Sequence, residues 1–159
     1  MDDLVVARVL HVLGVVIWIG GVGIVTAVIL PAAATFRSPE EHLRFFEAVE
    51  RRFAWIARGM TLIVGLSGFY MLWKFDLWDR FARLSFWWMH AMVAVWAVFT
   101  FVLFVAEPLF LHRLFVEHAR ENPEGTFRLV QRFHWILLLA SLITIAGAVA
   151  GAHGYAFFE

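Results

Sequence analysis

From Val9 to Phe36 no Asp, Glu, Lys or Arg interrupts the chain, and the same holds from Leu84 to Ala106 and from Phe133 to Phe158. Each run exceeds the roughly 20 apolar residues that carry a helix across a bilayer. A fourth segment, "FAWIARGMTLIVGLSGFYMLW" from Phe53 to Trp73, has the same length but holds Arg58. The pattern predicts one transmembrane domain over 1–159, with helices at about 4–31, 39–74, 84–120 and 127–152. The expected fold is all-α: an integral membrane four-helix bundle, up-down-up-down, with helices extended into the cytoplasm.

The connections carry helical signals of their own. "SPEEHLRFFEAVERRF" offers Ser38 as N-cap, Pro39 in the first helical position and Glu41 three residues after the cap, a capping-box pattern. "EPLFLHRLFVEHAR" continues the third helix until Pro123 and Gly125 in "ENPEG" break it. The first segment resembles a secretory leader in having Ala32 to Ala34 beyond an apolar run. Its acidic start (Asp2, Asp3) and its length instead predict helix one of the mature protein.

Composition sharpens this picture. Hydrophobic residues make up 62% of the chain and charged residues 16%, a balance far from that of a soluble domain. The net charge is zero, so only the placement of positive residues is informative. Arg37, Arg44, Arg51, Arg52, Arg58, Arg113, Arg120, Arg128 and Arg132 lie toward one side, and Arg8, Lys74, Arg80 and Arg83 toward the other. The richer side is expected in the cytoplasm, which puts both termini outside and the protein in the cell inner membrane. Trp73, Trp78, Trp87 and Trp88 mark the outer helix ends, and Trp55 and Trp135 the inner ones. Cysteine is absent, so redox compartment is not encoded. Arginines interspersed with glutamates argue against nucleic acid as a partner, and no phosphate loop, nucleophile elbow or H-E-x-x-H spacing occurs. The lipid bilayer is the expected partner, and a homo-oligomer is compatible with the composition.

Candidate chemistry begins with two histidines. In the expected topology His11 and His90 lie at the same outer depth, on the order of 6 to 10 Å inside their helix ends. Inward-facing imidazoles on diagonal helices would point at one another. Helix two passes that depth at Gly65, Ser67 and Gly68, and helix four at Ala146, Gly147, Ala148 and Gly151. Two diagonal ligands between walls of small residues describe a slot for a flat macrocycle, with His11 and His90 as the metal ligands of a heme b (b-type haem). The competing structural reading is that the glycines only allow close helix packing and that each histidine joins two helices.

On helix one His11, Gly14, Trp18, Gly21 and Val25 share a face at 3,4,3,4 spacing. "LHVLGVVIWIGGVGIVTAVILPA" resembles the first helix of the copper-resistance D (CopD) family, and "RRFAWIARGMTLIVGLSGFYML" is similar to that family's next helix. His11, Trp18 and Gly21 also match the His-x6-Trp-x2-Gly pattern of HemJ-type protoporphyrinogen oxidases. Those relatives often carry a lysine early in helix three, where this chain has Met89 and His90, a replacement that favours bis-histidine haem.

The histidine pair leads to a membrane protein that binds haem for electron transfer or oxidation of a small or quinone-like molecule, and the CopD resemblance implies one handling copper. Copper would draw on His11, His90, His153 and on Met89 or Met92, although soft Cu(I) prefers a sulfur ladder that the sequence lacks. A cofactor-free accessory membrane subunit is the third reading. Of the remaining polar residues, Arg58 is expected to pair with Glu107 or to snorkel, with a second cofactor or a proton path involving His134 as the functional alternative. His153 lies near the mouth of the expected pocket. His42, His112 and His118 are expected on solvated cytoplasmic helices.

Overall fold

The computed structural model describes residues 2–33, 35, 39–111, 114, 117, 118 and 122–155; for Asp2, Pro39, Glu40, His42, Leu43, Phe46, Glu47 and Pro123 it describes the backbone alone. The described residues are helical almost throughout, with no strand among them. Four helices are long and apolar enough to cross a membrane. Helix α1 (Asp2–Ile24) runs into a π-helical segment, Val25–Ile29, and a final α-turn, Leu30–Ala33. Helix α2 is Pro39–Lys74. Two 3-10 turns, Trp78–Ala82 and Leu84–Phe86, lead to α3 (Trp87–Phe101), which continues as a π-helix, Val102–Leu111. Helix α4 is Pro123–Ala152.

Both π segments lie at prolines, and the hydrogen-bond pattern explains why. A proline has no N–H and its ring crowds the carbonyl four residues back, so an α-helix cannot pass through it unchanged. Widening to the i to i+5 pattern is one accommodation. Pro108 lies inside the second π segment, and Pro31 follows the first by two residues. In the wide register the carbonyl deprived by Pro108 is that of Leu103, and it accepts from outside its own helix: Arg58 Nε donates to it at 2.9 Å.

Helix α4 begins at Pro123 and not near residue 127, because "ENPEG" starts a helix here. Asn122 is its N-cap, with Oδ1 accepting from Gly125 N at 2.9 Å, and Pro123 occupies the first turn, where a missing N–H costs nothing. The capping box expected at Ser38 and the extension of helix three through His112, Arg113 and Arg120 fall outside the described residues.

Contacts between helices define two ends of the bundle. Lys74 pairs with Asp3, Tyr70 donates to the same carboxylate at 2.6 Å, and Trp88 lies against Gly151. This end, which also carries His153, is called the upper end. Helices α1 and α2 pass in opposite directions: His11 meets Val64 and Ser67, Gly14 meets Met60 and Val64, and Gly21 meets Phe53. The core gathers Trp18, Ile19 and Val22 of α1, Ala57 and Val64 of α2, Phe99 of α3 and Leu138 of α4. Outward faces are apolar as well: Val16, Leu66, Val98 and Ile143 are all exposed. A helix that is hydrophobic all round belongs in a nonpolar surrounding.

Candidate functional site

His11 is the best-prepared polar side chain in the upper half of the bundle. Its Nδ1 lies 3.0 Å from the Val64 carbonyl and 3.2 Å from Ser67 Oγ. A carbonyl only accepts, so Nδ1 carries the proton and the lone pair of the neutral ring is on Nε2. Ser67 in turn donates to Ile63 O at 2.5 Å. Gly68 explains why the ring can lie there: a Cβ at that position would stand 3.1 Å from His11 Cε1. His11, Val64, Ser67 and Gly68 thus form one unit on the α1–α2 interface.

His90 belongs to a different unit. Its Nε2 donates to Phe81 O at 2.9 Å, and its ring meets the Phe81 ring edge to face with centroids 5.1 Å apart. The side chain is exposed and anchors the 3-10 turn to the start of α3. It carries its proton on the nitrogen opposite to that of His11. The structure holds the two rings on separate partners, α2 for His11 and the Trp78–Ala82 turn for His90. Depth along a helix does not set the direction a side chain takes.

The small residues expected to wall a slot are seats for other side chains. A Cβ on Gly65 would lie 2.6 Å from Trp96 Nε1, one on Gly147 would lie 2.5 Å from the Trp87 ring, and Gly151 is covered by Trp88. Gly14 faces Val64, 2.8 Å from where its Cβ would be. Trp18 is buried and meets Phe99 edge to face at 4.8 Å. The structure therefore brings His11 together with Gly68, and fills Gly65 and Gly147 with indoles. In donor chemistry His11 fits an axial ligand of haem, with its tautomer fixed and Nε2 open. His11 and His90 as opposed ligands of one iron do not fit, and neither does a macrocycle in glycine seats already filled by tryptophan.

The lower half holds Arg58, Glu107 and His134. Arg58 forms an ion pair with Glu107, its Nη2 meeting Oε2, while its Nε serves the Leu103 carbonyl. The guanidinium also lies over the Trp55 ring at 5.2 Å. His134 Nδ1 donates to Val130 O on its own helix at 2.9 Å, and His153 closes similarly on Val149 O at 2.8 Å. Met89 is buried and Met92 partly so. Among the described residues no three His, Cys, Asp or Glu side chains converge as a metal site would require.

Two participants carry little signal in the sequence. Ser67 reads there as one more small residue, and its hydroxyl finds His11 only once α1 and α2 are packed. Trp96, which donates to Thr61 O at 2.9 Å and fills the Gly65 notch, had no sequence signal beyond its place in an apolar run. No protein-family model, curated protein or solved structure matches this chain.

Proposed function

We propose that this is a multi-pass protein of the cell inner membrane, up-down-up-down with both termini outside, that binds heme b through His11 for electron transfer or oxidation of a small or quinone-like molecule. The observation that supports it is the Nδ1–H bond from His11 to the Val64 carbonyl. A histidine that ligates a metal through one nitrogen almost always gives the other N–H to a carbonyl or carboxylate, which fixes the ring and raises its basicity. The CopD and HemJ resemblance of the His11, Trp18 and Gly21 face points the same way. A haem held there supplies one-electron chemistry of its own.

The chain's part is to orient His11 and fix its tautomer. Ser67 and Val64 hold the ring against α2, and Gly68 leaves it room. The reading depends on one histidine, since His90 is engaged at the upper turn.

Titration of the detergent-purified protein with haem tests the proposal. Added haem should give a protein-bound Soret band and quench tryptophan fluorescence. His11→Ala should abolish the band, and His134→Ala should retain it. A preparation that takes up no haem, or a spectrum indifferent to His11→Ala, overturns the reading. Metal analysis of the same sample separates it from the copper alternative.

A further inference from the structure

At mid-height in the bundle the hydroxyl of Thr61 departs from the habit of its neighbours. Buried serines and threonines in apolar helices normally donate to the carbonyl one turn back. Thr26 does so to Val22 O at 2.7 Å, Thr100 to Trp96 O at 2.8 Å, Ser141 to Leu137 O at 2.7 Å and Thr144 to Ala140 O at 2.7 Å. Ser67 follows the same pattern with Ile63 O. Thr61 is fully buried, at 0% exposure, yet its Oγ1 has no partner.

A second orphan stands beside it. Trp18, 3% exposed, has its Nε1 buried without an acceptor. The register of α1 on α2, with Gly14 against Val64 and Gly21 against Phe53, places Trp18 opposite the stretch of α2 that contains Ala57 and Thr61. Helix α3 closes the same level: Phe99 packs on Trp18, and Trp96 donates to the Thr61 carbonyl. By this register a donor on α1 and a hydroxyl on α2 lie within about one helical turn of each other in the core, each lacking a partner.

We infer that the bundle centre binds one small neutral hydrogen-bonding molecule, a water, that accepts from the Trp18 indole and bonds the Thr61 hydroxyl. Two bare polar groups in an apolar core are costly, and a buried water with at least two polar partners removes that cost. The chemistry selects a neutral occupant. The nearest formal charge along α2, Arg58, is already committed to Glu107 and to the Leu103 carbonyl. Ala57, almost wholly buried and small, is the α2 residue one turn below. The site does not rest on the haem reading: Trp18 shares a helix face with His11, but its indole and the Thr61 hydroxyl are buried without partners of their own.

NMR of the full-length protein in detergent provides the test, with Trp18→Phe identifying the Trp18 indole proton. That proton should show a cross-peak to water, which Thr61→Val abolishes and Thr61→Ser keeps. The Trp96 indole proton, bonded to Thr61 O, should show none. Thr61→Val should also lower the melting temperature by about 2–4 °C, as loss of a roughly 1 kcal/mol interaction does in a chain of this size. Absence of the Trp18 cross-peak, or a melting temperature raised by Thr61→Val as removal of a bare orphan would raise it, overturns the inference.

Discussion

A single methylene's worth of space decides where the His11 ring lies. With Gly68 the imidazole reaches the Val64 carbonyl, whereas an alanine there would place its Cβ 3.1 Å from Cε1. The ring would then have to tilt, lengthening its bond to Val64. Gly68→Ala should therefore leave the fold intact but shift the His11 ring-nitrogen resonances toward those of a freely exchanging tautomer pair, and unchanged nitrogen shifts would count against the geometry. Gly147→Ala should behave differently, because its Cβ would enter the Trp87 ring rather than the edge of a movable imidazole. Overpacking of this kind costs about 1–3 kcal/mol, readable as a lower midpoint in thermal unfolding. The contrast also shows what was legible at this scale. His11 stands out in an apolar run because polar groups there are costly, so the sequence marks it. Which way it faces depends on helix rotation and on a notch in another helix. A glycine in a sequence records only a missing side chain, and the Trp87, Trp88 and Trp96 indoles that fill such gaps come from elsewhere in the chain.

Element by element, the apolar runs announced four helices because hydrocarbon thickness dictates their length. The Arg58 and Glu107 pairing was legible for a related reason: a guanidinium within an apolar helix wants a partner. The π segments were not legible, since Pro31 and Pro108 signal only that the α pattern must yield. At Pro108 the yielding has a beneficiary, for the Leu103 carbonyl becomes the acceptor of Arg58 Nε. Arg58→Leu should strand both that carbonyl and the Glu107 carboxylate. With side chains 18% and 28% exposed, the loss should fall near the lower end of the roughly 3–5 kcal/mol expected when one member of a buried pair is removed. Adding Glu107→Leu should restore most of it, leaving the cost of the unbonded carbonyl, and a double variant as unstable as the single would refute this division of roles. At the start of α4, Asn122→Ala should cost about 0.5–2 kcal/mol through loss of the cap on Gly125 N, with Asn122→Asp close to neutral.

For the molecule as a whole, charge placement and packing bear on the same question. Contacts bring Asp3 to Lys74 and Trp88 to Gly151, so the first residues of α1, the turn between α2 and α3 and the end of α4 share the upper end. Whatever side of a membrane one of them occupies, the others occupy too. The upper end carries Arg8, Lys74, Arg80 and Arg83, and the other nine positive residues belong to the opposite connections and the helix starts beside them. In the proposed topology the positive-inside rule makes the upper end external and sets the His11 unit in the outer half of the bilayer. A topology reporter fused after Glu159 should thus report the external side, and the same reporter inserted beside Arg44 should report the cytoplasm. Because the ends are tied by contacts, reversal cannot affect one of them alone: a cytoplasmic signal at the C-terminus must come with an external one at Arg44. That paired reversal would refute the orientation while leaving the bundle standing. A cytoplasmic signal from both positions would instead break the four-span arrangement itself.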